Sequence, residues 1–264
     1  MTVSFPLSFP PKGRGYRFGP LPVRLLFLSV LLLAFAAKSE LTNAVAVDTE
    51  ARALAARIYF GRPETNASQS GSLKLRDPDG KISVIPLRLD VIITPTNWQT
   101  IYLTGSSQDQ AGSLLIVHAD GQPNRYFADV NANPETTRSL TASERLSPLT
   151  PGSDFSRSDL GLEFLHWPEQ RILKKEFHRQ CACVVLESTN PHPSAHGYSR
   201  VVSWIDEESL GIVEAYAYDV NDLKLKNFYP KNLEKINGRY QVESMVMENL
   251  QTGSRSVFEL DAHK

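Results

Sequence analysis

The chain has 264 residues, 22% charged and 41% hydrophobic, with a formal net charge of −1. Phosphate contacts need clustered Lys and Arg, so this balance argues against a nucleic-acid binder. The length suits one domain behind an N-terminal leader.

Lys12, Arg14, Arg17 and Arg24 precede an apolar run, Leu25–Ala37, and no acidic residue comes before Glu40. A basic segment, a short apolar core and small residues at the cut read as a secretory signal peptide. Two cleavage sites fit, after Ala36 and after Ala46, which places the leader in residues 1–46 and one domain in 47–264. The rival reading is a membrane anchor, but a spanning helix needs about 20 apolar residues. Either cut takes the net charge from −1 to −5, because it removes four Lys/Arg, or five together with Glu40. Neither cysteine lies near the leader, so no lipoprotein cysteine is on offer and a soluble exported chain is expected.

Ala51, Leu54, Ala55 and Ile58 then share one face at helical spacing, with Asp48 or Thr49 as cap and Gly61 and Pro63 as terminators. The period next changes to two. "GSLKLRDPDGKISVIPLRLDVI" predicts two strands around Asp77-Pro78-Asp79-Gly80. "WQTIYLTG", "GSLLIVHADG" and "NRYFAD" continue the pattern. Residues 131–158 break the rhythm, and Thr141-Ala-Ser-Glu144 has the form of a capping box.

From "RILKKEFHRQ" to "SRSVFELD" seven strand-like runs follow, separated by short turns such as Asn237-Gly238, a type I′ signal. Strands joined by such turns are antiparallel neighbours. The fold class expected is mainly β with some α: one large antiparallel sheet and a few short helices. Several strands are apolar on both faces. Val201 and Ile205 oppose Val202 and Trp204. Ile212, Tyr216 and Tyr218 oppose Val213, Ala215 and Ala217, and Met245 and Met247 oppose Val242 and Val246. A sheet covered on one side alternates apolar with polar, so the second face needs a cover, a partner or an apolar ligand.

No nucleophile elbow, phosphate loop, dinucleotide fingerprint or zinc-protease motif is present. Cys181 and Cys183 stand two apart on one strand, too close for an easy disulfide and without a second ligand pair for a metal. His192 and His196 flank "PSA" in a Pro-rich loop, and Asn66 heads a formal glycosylation motif. In "SPLTPGSDFSRSDLG", Asp154 and Asp159 are candidate acids, but caps explain the stretch more economically. Ser153 or Asp154 can cap the turn after Gly152, and Ser156-Arg-Ser-Asp159 is a capping-box pattern. Neither a catalytic residue, a metal nor a cofactor is expected.

"PGSDFSRSDL" resembles the G-[ST]-D-F-S-x-x-D-L signature of LolA-like outer-membrane lipoprotein-sorting proteins, in an uncharacterised branch of that superfamily. "CACVVLEST", "YSRVVSWIDEES" and "INGRYQVESMVMENLQTGSRSVFEL" resemble later motifs in the same order, across Pro151–Leu260. Between the first helix and Asn131 no motif matches, and "NPHPSAHG" lengthens the loop before Tyr198. The resemblance implies a strongly curved half-barrel with helices across its open side, and Asp154, Phe155, Ser156 and Asp159 as structural motif residues.

It also implies a carrier that holds a lipid or the acyl chains of a lipoprotein in an apolar concave cavity and moves it between inner and outer membranes of a diderm envelope. Trp204, Tyr216, Met245, Met247 and Phe258 are the candidate lining. An inner-membrane donor, an outer-membrane acceptor and a monomeric periplasmic chain complete the expectation. The rival readings are a periplasmic sensor or interaction module that binds a protein on the same fold, and a hydrolase using Asp154 or Asp159.

Overall fold

The computed structural model describes residues 49–105, 110–129, 137–236 and 239–261. The leader, both cleavage sites and the Asn237-Gly238 turn lie outside these. Helix α1 covers residues 49–59. Six strands follow: β1 (Ala67–Arg76), β2 (Ile82–Ile93), β3 (Asn97–Gly105), β4 (Gln110–Ala119), β5 (Arg125–Ala128) and β6 (Arg138–Ser139). Two single-turn helices, α2 (Ala142–Arg145) and α3 (Arg157–Leu160), and a 3₁₀ turn (Glu163–His166) link them to β7 (Glu169–His178). The chain closes with β8 (Cys181–Thr189), β9 (Arg200–Asp206), β10 (Ile212–Tyr218), β11 (Lys224–Ile236), β12 (Arg239–Asn249) and β13 (Arg255–Leu260).

All thirteen strands form one sheet in the order β6-β5-β4-β3-β2-β1-β13-β12-β11-β10-β9-β8-β7. Every pair is antiparallel, as short turns between consecutive strands require. The single non-consecutive pairing joins β1 to β13, with Leu73 opposite Phe258, so the two meanders meet mid-sheet and the edges are β6 and β7.

The sheet is strongly curved and open. Tyr102 on β3 and Ala215 on β10 line the same cavity although six strand steps separate them. In a flat sheet those steps span about 28 Å, at about 4.7 Å each. The link between the edges, residues 140–168, folds back across the concave side as a plug. Its Leu149 and Phe155 are 1% exposed and pack with Leu73, Tyr102 and Phe258. Helix α1 uses the face that its spacing predicts: Ala51, Leu54 and Ala55 pack on Val184, Leu186 and Ile205 from β8 and β9. Together plug and helix supply the few helices over the open side.

Strict alternation fails at β10. Ile212 pairs with Ile205 and Glu214 with Trp204, so Val213 is an extra residue in the strand. Such a bulge shifts phase by one and turns Ile212 to the side of Ala215, whereas period two sets it with Tyr216.

Candidate functional site

Under the plug the concave face leaves a cavity of about 300 Å³, at the small end of the usual ligand-pocket range. The sheet contributes Val201, Ala215, Ala217, Phe228, Met245 and Met247, while the plug contributes Phe155, Leu160, Leu162 and Phe164. Helix α1 adds Ile58. Leu162 holds a left-handed φ of 48°, a conformation costing a side-chain-bearing residue about 1–2 kcal/mol. That kink separates α3 from the 3₁₀ turn.

One part of this wall is charged. Lys226 shares the phase of Phe228 on β11 and so points inward. Its ammonium donates to the Asp154 carbonyl at 2.6 Å and to Asp159 Oδ2 at 3.2 Å. The Tyr198 hydroxyl donates to both Asp159 oxygens, at 2.9 and 3.1 Å. Burial works against the Lys226 charge, but Asp159 and Tyr198 outweigh it and push its pKa up. Burial, and then the Asp159 charge, raise the Tyr198 pKa. A lysine kept protonated and a tyrosine kept neutral are poor nucleophiles and bases near neutral pH. The cluster is built to hold the plug.

The serines and aspartates of 153–159 all have such partners. Ser156 caps α3 through a complete capping box: its hydroxyl accepts from the Asp159 N–H and Asp159 accepts from the Ser156 N–H. Ser153 Oγ accepts from the Phe155 N–H at 3.1 Å. Asp154 is more than a local cap. Its carboxylate accepts from Ser254 at 2.6 Å and Ser256 at 2.8 Å, and its own N–H donates to Ser256 Oγ. This bolts the plug to β13 across about a hundred residues of sequence.

The residues expected in the lining are split. Met245 and Met247 line the cavity. Phe258 is on the same face but buried beneath the plug, edge-on to Phe155 and Tyr102. Trp204 and Tyr216 are on the opposite, convex face. Trp204 alternates with the inward Ser203 and Ile205, and its indole donates to Glu176 at 2.6 Å. Tyr216 packs edge-on against Trp204 and carries Lys224 over its ring at 3.8 Å. Large aromatics on a strand fit either face, and here the turn between β7 and β8 covers the outer one. His178 and Arg179 from that turn hold Glu214 at 2.6 and 2.8 Å.

Sequence reasoning missed Lys226 and Tyr198. The signal was a shared one: in "LKLKNFYPK" Lys224 and Lys226 are both in phase with Phe228 and Pro230, and the register shift at Leu225 sends Lys224 to the convex face over Tyr216. Cys181 and Cys183 are free thiols. Among the described residues no group of three His, Cys, Asp or Glu could hold a metal, and no helix is long and apolar enough to cross a membrane.

A family model described as "-like: Uncharacterized protein" matches residues 101–264. No curated protein matches the chain. Among solved structures, the chain is similar to a DUF1329 family protein from Desulfovibrio piger, at 18% identity and a TM-score of 0.66 over 81% of this chain and 91% of that one. It is similar to a putative outer membrane lipoprotein-sorting protein domain from Vibrio parahaemolyticus, at 17% identity and a TM-score of 0.66 over 81% and 92%. A LolA superfamily protein from Nitrosomonas europaea gives 18% identity and a TM-score of 0.56 over 82% and 92%. At these identities the likeness is one of fold.

Proposed function

The chain belongs to that family of uncharacterized proteins and has the LolA-like fold, and from this premise we infer that it is an exported periplasmic carrier. It holds the acyl chain of a lipid or a lipoprotein in the concave cavity and moves it between membranes. The observation that carries the reading is the cavity itself, an apolar space walled by sheet on one side and plug on the other.

Burying an acyl chain gains about 0.8 kcal/mol per CH₂, so micromolar binding, about 8 kcal/mol, takes at least about ten buried methylenes, and more once ordering costs are met. Met245 and Met247 suit variable chains because an unbranched thioether repacks easily. The hydrolase reading has less support. Asp154 and Asp159 bond to serines, Tyr198 and Lys226, and no histidine is among the partners found. Native mass spectrometry of protein purified from its own cell envelope tests the carrier. Lipid adducts are expected, and their consistent absence, with no uptake of a fluorescent acyl probe, sinks it. A single stoichiometric protein partner without lipid points instead to an interaction module.

A further inference from the structure

A second cavity, of about 620 Å³, adjoins the first. Asp159, Phe164 and Tyr198 line both, so they form the partition between them. The rest of the second wall is of another chemistry. Residues in and before α2 bring Thr141, Ser143 and Arg145, and the loop before β9 brings Asn190, His192 and Ser194. Arg145 Nη1 is 3.1 Å from Glu163 Oε1, its guanidinium sits over the Tyr126 ring, and its Nε is buried with no hydrogen-bond partner.

An acyl chain in the first cavity has a polar end, and a polar group buried without hydrogen bonds costs several kcal/mol, which the apolar lining cannot offset. The adjoining chamber offers donors and acceptors just past the partition. Its charges balance: Arg145 against Glu163, with Asp159 already paired to Lys226. A purely anionic head drawn to Arg145 lies beside the Glu163 carboxylate, and a purely cationic one drawn to Glu163 lies beside the Arg145 guanidinium. A head that carries both signs satisfies both side chains. We propose that the two cavities take one amphiphile, its chain in the apolar cavity and a zwitterionic phosphate-and-ammonium head in the second, against Arg145 and Glu163. The assignment rests on the carrier reading.

The test uses the full chain and displacement of a fluorescent acyl probe by three ligands of one chain length. These are a lysophosphatidylethanolamine, a lysophosphatidylglycerol and a monoacylglycerol. Expected is about tenfold tighter binding of the ethanolamine lipid than of either other, since charge-assisted hydrogen bonds are the stronger ones. Glu163→Gln, nearly isosteric, should abolish its advantage over the glycerol phospholipid. Arg145→Met should bring it to within about twofold of monoacylglycerol measured on the same variant. Equal affinity of the three for the unmodified chain overturns the head assignment and leaves the carrier standing. So does a Glu163→Gln chain that keeps its preference, or an Arg145→Met chain, folded by circular dichroism, that weakens all three alike. Failure of every ligand to displace or replace the probe overturns the carrier reading and this assignment with it.

Discussion

Lys226 of β11 and Asp159 of α3 form an ion pair inside the wall of the apolar cavity, 3.2 Å apart, with side chains only 14% and 8% exposed. Sheet and plug are thus joined through charge where the surrounding contacts are apolar. Breaking a buried pair from one side costs about 3–5 kcal/mol, while replacing both partners costs far less. Lys226→Met should therefore destabilise the chain by about that amount in urea unfolding. The double variant Lys226→Met with Asp159→Asn should regain part of the loss. A double variant no better than the sum of the singles means the two residues act independently.

Acid should loosen the fold before most carboxylates titrate. His118 is 7% exposed, stacked on Trp98 at 3.6 Å, and burial holds its pKa down at about 4, with an Asn124 hydrogen bond opposing. Burial also lowers the pKa of His166, tilted against the Tyr59 ring, to about 4. The unfolded chain takes up these protons near pH 6.5 and the folded chain only near pH 4. Stability is full above pH 6.5, falls as pH drops toward 4, and levels off below. His118 accounts for a loss on the order of 3 kcal/mol, at about 1.4 kcal/mol per pH unit, and the less buried His166 for less. Glu163, whose pKa burial raises, pulls the other way in the upper part of a carboxylate's range. Comparing urea stability at pH 7 and 4.5 for the parent and His118→Gln isolates the histidine share. An unchanged pH slope in the variant removes His118 from the account.

The plug approaches the sheet so closely that two positions admit no side chain. A Cβ on Gly112 of β4 comes within 2.6 Å of the Leu149 carbonyl, and one on Gly161 runs into the Tyr126 ring, 2.8 Å from Cζ. Neither neighbour is a flexible tip, since one is backbone and the other a ring that is 2% exposed. Overpacking of this kind costs about 1–3 kcal/mol. Gly112→Ala and Gly161→Ala should each lose that much in thermal or urea unfolding. A neutral Gly112→Ala shows that Leu149 can retreat.

The parts of the fold that were legible are the local ones. Thr141 with Glu144 and Ser156 with Asp159 are complete capping boxes, read from a spacing of three. The helical face Ala51, Leu54, Ala55 and the meander with its turns were equally open to reading, because a period needs only neighbours. The joining of the two meanders into one sheet was not. Leu73 opposite Phe258 is a pairing between the two ends of the domain, and nothing local specifies it. The tie from Asp154 to Ser256 is hidden for the same reason, and it makes an apparent turn cap into an anchor. Strand faces were legible only up to a phase: a single bulge at Val213 moved Ile212, and the covering of the convex face claimed Trp204.

The cavity itself allows a direct trial of occupancy. Ala217 lines it, 7% exposed, opposite Lys226 on the neighbouring strand. Larger side chains there project into the cavity instead of packed core, so Ala217→Leu and Ala217→Phe should cost no more than the lower part of the about 1–3 kcal/mol of ordinary overpacking. Each CH₂ of a bound chain that they displace forfeits about 0.8 kcal/mol. If the phenyl ring excludes about three methylenes, the loss is about 2.4 kcal/mol, or roughly fiftyfold in Kd. Leu should fall between the parent and Phe. Titration with a fluorescent acyl probe reads the affinity and a urea melt reads the fold. Probe affinity that ignores both substitutions places the chain elsewhere than this cavity. Affinity that falls only in step with stability makes Ala217 a packing position.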